Sequence, residues 1–210
     1  MSNIVQSLYA YGHYLYLQDF LTNPIHEWKI CERILDLNTG EWTILSPPEN
    51  QTTITNMIAP DTLLSFYTPT EAMVVTTEPL DVTYETHLYR RSLSGDNAEL
   101  LGNYPCNVSA ADNEYIYMSD PWKGRPAQDS LHIYDHNLVK IDEIPFEGLF
   151  DSESKYGSCV LFPMPGDILM LRTQEGSDYS FYYFRRSEIG SGKIELHQFF
   201  QYNMEEFKSV

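Results

Sequence analysis

Basic residues are scarce in this chain. Its 210 residues hold 13 Lys and Arg against 30 Asp and Glu, a formal net charge of −17. A surface of that sign repels nucleic-acid phosphates and anionic lipids, so neither nucleic acid nor a membrane is an expected partner. The carboxylates are dispersed, with small clusters only at Asp151/Glu153 and Glu205/Glu206. Mimicry of nucleic acid wants denser arrays, and a solvated acidic surface is the favoured reading.

Cysteine is nearly absent too. Cys31, Cys106 and Cys159 stand far apart, odd in number and without a C-x-x-C pair. Such a set suits buried thiols in a reducing compartment. A Cys31–Cys159 bridge is the alternative in an oxidising one. No apolar run approaches the roughly 20 residues that span a bilayer as a helix. Met1-Ser2-Asn3-Ile4-Val5 lacks the basic and apolar regions of an export signal. Sequons at Asn50 and Asn107 are therefore read as accidental, and the expected location is cytoplasmic or nuclear.

Helical periodicity is missing as well. Apolar residues recur at spacing two, and 14% of the chain is aromatic, with 16 Tyr. Half-buried pleated strands favour both features. Absent, finally, are a P-loop, a dinucleotide fingerprint, a G-x-S-x-G and a reactive-cysteine context.

What is present is a unit repeated four times, over about residues 3–48, 52–102, 104–147 and 155–201. Each reads strand, tight turn, strand, longer loop, aromatic strand, polar turn, strand. His87-Leu88-Tyr89-Arg90-Arg91-Ser92 matches Tyr182-Tyr183-Phe184-Arg185-Arg186-Ser187, about 95 residues on, roughly twice a propeller-blade repeat. The match extends to an outer strand at Ala98-Glu99-Leu100-Leu101 and another at Lys193-Ile194-Glu195-Leu196. The tail, residues 202–210, frays or adds a short closing element. The expectation is a single all-β domain of four antiparallel four-stranded units in a propeller-like arrangement. It is either a small closed ring or half of a larger propeller, since radial stacking disposes of sheet edges. A β-sandwich is the alternative.

Residues 34–48 end the first unit with Asp36-Leu37-Asn38-Thr39-Gly40-Glu41-Trp42 and Pro47-Pro48. This segment resembles the outer hairpin of kelch-type and F-box-associated propeller repeats. The resemblance implies that Trp42 packs between neighbouring blades. Elsewhere the chain departs from the pattern, having neither the Gly-Gly pair of kelch repeats nor a Trp-Asp dipeptide.

The Arg doublets are the most suggestive polar residues. Adjacent strand positions face opposite sides, so one Arg of each pair, Arg91 and Arg186, should turn toward a blade face. An inter-blade ion pair is the favoured role; anion recognition by bidentate Arg is the alternative. Tyr89 and Tyr183 are expected to pack with them. His132 and His136 lack a third ligand with diagnostic spacing, so no metal is expected. Asp36, Asp61 and Asp135 sit at turns, where Asp bonds the backbone two residues on. The loop holding Trp122, Lys123 and Arg125 is the best binding candidate, because Trp and Arg dominate interface hot spots. His26 and Trp28 occupy the corresponding place in the first unit.

The sequence therefore points to a non-enzymatic protein–protein interaction module without cofactor. Its expected partner is another protein, basic if charge decides, or a second copy in a homodimer. An acidic inhibitor occluding a basic site is the second reading. A carbohydrate-active enzyme built on paired carboxylates is the third.

Overall fold

The computed structural model describes residues 3–22, 28–45, 52–68, 85–93, 98–105, 109–120, 126–154 and 157–209. They form four antiparallel sheets of four consecutive strands each, ordered as in the sequence. Blade one comprises β1 (Asn3–Tyr11), β2 (Tyr14–Thr22), β3 (Trp28–Asp36) and β4 (Trp42–Leu45). Blade two comprises β5 (Thr52–Ala59), β6 (Thr62–Thr68), β7 (Glu85–Ser92) and β8 (Ala98–Pro105). Blade three comprises β9 (Ser109–Ala111), β10 (Ile116–Ser119), β11 (Ser130–Tyr134) and β12 (Lys140–Pro145). Blade four comprises β13 (Ser158–Pro163), β14 (Ile168–Glu175), β15 (Asp178–Arg185) and β16 (His197–Asn203). The fold is thus all-β, as the spacing-two pattern requires. The helical turns among the described residues are short 3-10 pieces, one of which, Met204–Ser209, closes the tail.

The strands meet through short turns of the expected chemistry. Gly12 takes a φ of 57° between β1 and β2, and Gly40 a φ of 74° in the Asn38-Thr39-Gly40 turn. Both angles lie in the left-handed region that glycine enters without steric cost. Asp36 accepts the Asn38 amide at 2.8 Å, and Asp135 accepts those of Asn137 and Val139 at 2.9 and 2.8 Å. Those backbone donors hold the exposed Asp135 carboxyl below its ordinary pKa.

The chain divides into two compact units, the first carrying blades one and two, the second blades three and four. In the first, Tyr16, Ile34 and Leu45 of blade one pack with Met57 and Leu63 of blade two. In the second, Tyr117, Leu131 and Ile133 of blade three pack with Leu161, Leu169, Leu171 and Phe184 of blade four.

One strand lies elsewhere than its repeat suggests. The outer strand of blade four is His197–Asn203, not Lys193 to Leu196. After β15 the chain tightens into a 3-10 turn at Arg186–Glu188, and Ile189 is buried in the core. Ile194 and Leu196 pack against that core from a non-strand segment, with Glu195 N donating to Glu188 Oε2 at 3.1 Å. Those apolar anchors hold the segment off the sheet, and pairing resumes only at His197.

Candidate functional site

Each Arg doublet splits between interior and surface. Arg91 is buried on β7 and donates from Nη1 to Glu32 Oε2 (2.8 Å), Ser65 Oγ (3.1 Å) and Tyr67 OH (2.7 Å). Glu32, on β3 of blade one, has no exposed surface. Its Oε1 accepts from Tyr16 OH at 2.7 Å and Thr55 Oγ1 at 2.6 Å. Blades one and two are therefore joined by a buried charge pair whose remaining lone pairs are satisfied, the condition under which burial of charge is tolerated. Tyr89 adds an edge-on ring to Tyr67 at 5.5 Å. Arg90 instead meets Glu99 at 3.4 Å on the surface.

Arg186 plays the same part in the second unit with different geometry. It opens the 3-10 turn instead of lying within a strand. Its Nε and Nη2 both reach Asp112 Oδ2, at 3.1 and 2.9 Å, joining blade four to the β9–β10 turn of blade three. Gly166 O and Met164 O accept further bonds from the guanidinium. Asp112 also accepts from Tyr117 OH (2.8 Å) and from the amides of Glu114 and Tyr115 (both 2.9 Å). Burial, the largest single influence, acts to lower the Arg186 pKa, but the Asp112 charge and hydrogen bond together with Tyr117 outweigh it and the net shift is upward. Burial, then the Asp112 charge, drives the Tyr117 phenol far above its ordinary value. Arg185 remains exposed, 3.6 Å from Asp167.

The histidines are held in hydrogen-bonded positions. His132 Nε2 lies 2.9 Å from Asp120 Oδ1, and its Nδ1 lies 3.5 Å from Glu143 Oε2. Lys140 Nζ at 2.6 Å holds the Glu143 carboxyl below its ordinary pKa. Asp120 also accepts the Ser130 amide at 3.0 Å, which ties the end of β10 to the start of β11. His136 Nε2 bonds Asp112 O at 2.9 Å, which separates it from His132. Among the described residues no three potential ligands converge on a metal position. Cys31 and Cys159 are free thiols, and burial pushes the Cys159 thiol up, Arg172 offsetting only part of that.

Trp122, Lys123, Arg125 and His26 lie outside the described residues, as does Cys106. Trp28 opens β3 opposite Thr22. Trp42 departs from the packing role that the resemblance implies. It is 50% exposed, and the described partner of its ring is the Arg33 guanidinium of its own blade, at 5.7 Å. Its place on the last strand of the sheet, opposite Leu35, turns it to the face away from the blade-two core.

That face is one of two that the sequence did not single out. On blade one, register puts Leu8, Leu17, Arg33 and Ile44 in one row and Leu15, Leu35 and Trp42 in the next. Leu8 is 58% exposed and Ile44 70%. On blade four, register puts Val160, Arg172, Phe181 and Phe200 in one row. The Phe181 ring lies 5.8 Å from that of Phe200 and 6.1 Å from that of Phe199. Tyr179 stacks on Tyr202 at 4.9 Å, and Tyr183 on His197 at the same distance. Phe199 and Phe200 are 54% and 51% exposed. The opposite face of this blade carries the buried Leu161, Leu171 and Phe184. Blades one and four thus carry large apolar side chains on both faces, and on the second face those of the outer strands, Trp42 and Ile44 on one and Phe199 and Phe200 on the other, are exposed while the inner rows are half-buried. Alternation of large apolar residues with the core residues was the available signal, visible in Phe181-Tyr182-Tyr183-Phe184.

No family model and no curated protein matches the chain. Solved structures do. The chain is similar to an acylaminoacyl peptidase of Pyrococcus horikoshii, at 7% identity and a TM-score of 0.53, covering 93% of this chain and 32% of that one. It is similar to the β-propeller domain of the trilobed protease of Pyrococcus furiosus, described as having an open velcro topology. There the identity is 10% and the TM-score 0.51, over 93% of this chain and 57% of that one. A third match is an acylaminoacyl peptidase in complex with Z-Gly-Gly-Phe-chloromethyl ketone, at 8% identity, a TM-score of 0.53 and 32% of that chain. At such identities the likeness shows the fold, a β-propeller of four-stranded blades, and nothing of activity. The chain spans about a third of the peptidases and a little over half of the propeller domain it matches.

Proposed function

We propose that this chain is a non-enzymatic protein–protein interaction module. The observation that carries the reading is a division of labour among its side chains. Arg91 with Glu32 and Arg186 with Asp112 are engaged between paired blades, and His132 within its own blade. Large apolar groups, Ile44 and Trp42 on one blade and Phe199 and Phe200 on another, stand in solvent instead. Apolar surface gathered on one sheet face, rather than scattered singly, is the mark of a contact surface. Propellers also serve as rigid platforms whose faces and loops meet other proteins. The loop with Trp122, Lys123 and Arg125 belongs to this reading as a further contact element, as do His26 and Trp28. The likeness of residues 34–48 to kelch-type repeats is compatible with it and adds no partner.

A photo-cross-linking residue placed at Phe199 tests the reading in living cells. Protein adducts should form there and not at Glu153, an exposed turn residue outside the strands of every blade. An absence of adducts at Phe199 above the Glu153 background contradicts it.

A further inference from the structure

The chain carries 30 carboxylates, yet those within the strands of blade four avoid one of its faces. On that face Arg172, Phe181 and Phe200 share a row, beside the Tyr179–Tyr202 stack. The four strands hold two carboxylates, Glu175 and Asp178. These two pair with each other at the end of the β14–β15 hairpin, and alternation turns both to the opposite face. Both are engaged there. Glu175 Oε2 accepts the Asp151 amide at 3.1 Å, and Asp178 Oδ1 accepts from Asn203 Nδ2 at 2.7 Å.

A cation stands on this face without an anion. Arg90, Arg91, Arg185 and Arg186 each meet a carboxylate. Half-buried Arg172 meets none among the described residues. Its guanidinium carbon lies 5.7 Å from the Tyr179 ring, and its Nε is shielded from water with no acceptor. A shielded donor left unpaired costs stability, which an acceptor brought by another molecule recovers. Resting on the interaction-module reading, we infer that this face binds an acidic, apolar segment of a protein partner. An Asp or Glu side chain of that segment sits on Arg172, and large apolar side chains beside it cover Phe200 and Tyr202.

Exposed apolar residues alone do not single out blade four, since Leu100 on β8 and Ile141 on β12 are exposed as well. The unpaired guanidinium among aromatic rings does. An arginine fork matches a carboxylate bidentately while its plane rests on a ring. Phosphate recognition gathers several arginines at one spot. The other arginine of these strands, Arg185, is instead engaged with Asp167 at the end of β15. Chain-terminal carboxylates are taken by nests of backbone N–H groups, whereas the amides here are used in strand pairing. An internal Asp or Glu fits best. By strand spacing the face is about 14 Å across, a span that an extended segment of about five residues covers. The net charge of −17 opposes an acidic partner only from a distance. Salt screens remote carboxylates over about 8 Å, which leaves Arg172 to set the local sign.

Random heptapeptides displayed on phage and selected against the immobilised full chain test the inference. Peptides recovered on the wild-type chain should carry Asp or Glu next to Phe, Trp or Leu. Selection on Arg172→Met should keep the apolar residues and lose the acidic one, and Arg172→Lys should retain a weaker acidic preference. In fluorescence titration a recovered peptide should bind Arg172→Met on the order of tenfold to a hundredfold more weakly than wild type. Changing the acid of that peptide to its amide should weaken wild-type binding as much and Arg172→Met binding little. Phe200 is exposed, and Phe200→Asp sets a like charge beside the site. That variant should abolish binding, a second readout that does not depend on how Arg172→Met folds. Circular dichroism checks the fold of each variant. Recovery of no peptide, of peptides without acidic residues, or of an acidic preference that Arg172→Met leaves unchanged overturns the inference. Protein adducts at Phe199 alongside any of these results leave the interaction-module reading intact. No peptide and no adducts removes both.

Discussion

Arg90 and Arg91 are neighbours in sequence with opposite consequences for stability. Arg91→Met leaves Glu32 buried without its cation, at a cost of about 3–5 kcal/mol. In a chain of this length that lowers the melting temperature by on the order of 10 °C in a thermal scan. Arg90→Ala removes only an exposed pair with Glu99 and should shift stability by under about 1 kcal/mol. The doublets were legible because strand alternation turns one member inward. Their partners were not, because Glu32 and Asp112 lie 59 and 74 residues away along the chain and only the packing of blades selects them. Asp167 offers a pH-dependent counterpart. The Ser187 amide and hydroxyl, with Arg185 beside them, hold its carboxyl below the ordinary value. A carboxylate whose folded pKa is depressed stabilises fully above its unfolded pKa and loses that contribution as pH falls through the folded one. Asp167→Asn should therefore melt lower than wild type near neutrality. The difference should close as pH is lowered from about 5 to about 2. A constant difference across that interval contradicts the assignment.

Turns and strands were read with uneven success, for reasons that lie in the elements. Hairpins closed by Gly12 and Gly40 were visible because a left-handed turn demands glycine. The turn between β11 and β12 uses Leu138 at a φ of 64°, a residue type that gives no such signal. There Asp135 accepts two backbone amides and holds the turn against the cost of that conformation. Replacing Leu138 by Asn, which tolerates the left-handed region, should raise stability by about 0.5–1 kcal/mol in denaturant unfolding. No gain would show that Leu138 packs well enough to offset its backbone cost. At Gly157 the constraint is space. A Cβ there would sit 2.7 Å from Cε1 of Phe150, a core ring, so Gly157→Ala should cost about 1–3 kcal/mol. The displaced outer strand of blade four shows the limit of repeat matching. Arg186 resembles Arg91 in sequence, yet the turn it opens and the burial of Ile189 push β16 beyond the matched residues. Local similarity carried the chemistry of the arginine and missed the length of the connection.

For the whole molecule, four repeats of antiparallel strands were legible from spacing-two patterning and turn residues, and the likeness to solved propellers agrees. The open faces were not legible, because an apolar strand face looks the same in sequence whether a neighbouring blade covers it or not. Leu171 and Phe181 illustrate this, one buried in the core and the other on the open row of the same blade. A contact surface built of apolar side chains keeps its partner as salt rises, because screening weakens charge pairs and not apolar burial. The cross-linking yield at Phe199, followed from about 0.05 M to about 0.5 M sodium chloride in cell extract, tests the interaction-module reading most directly. That reading predicts protein adducts at Phe199 that persist across the range. Adducts no more abundant than at Glu153, or lost as salt rises, contradict it.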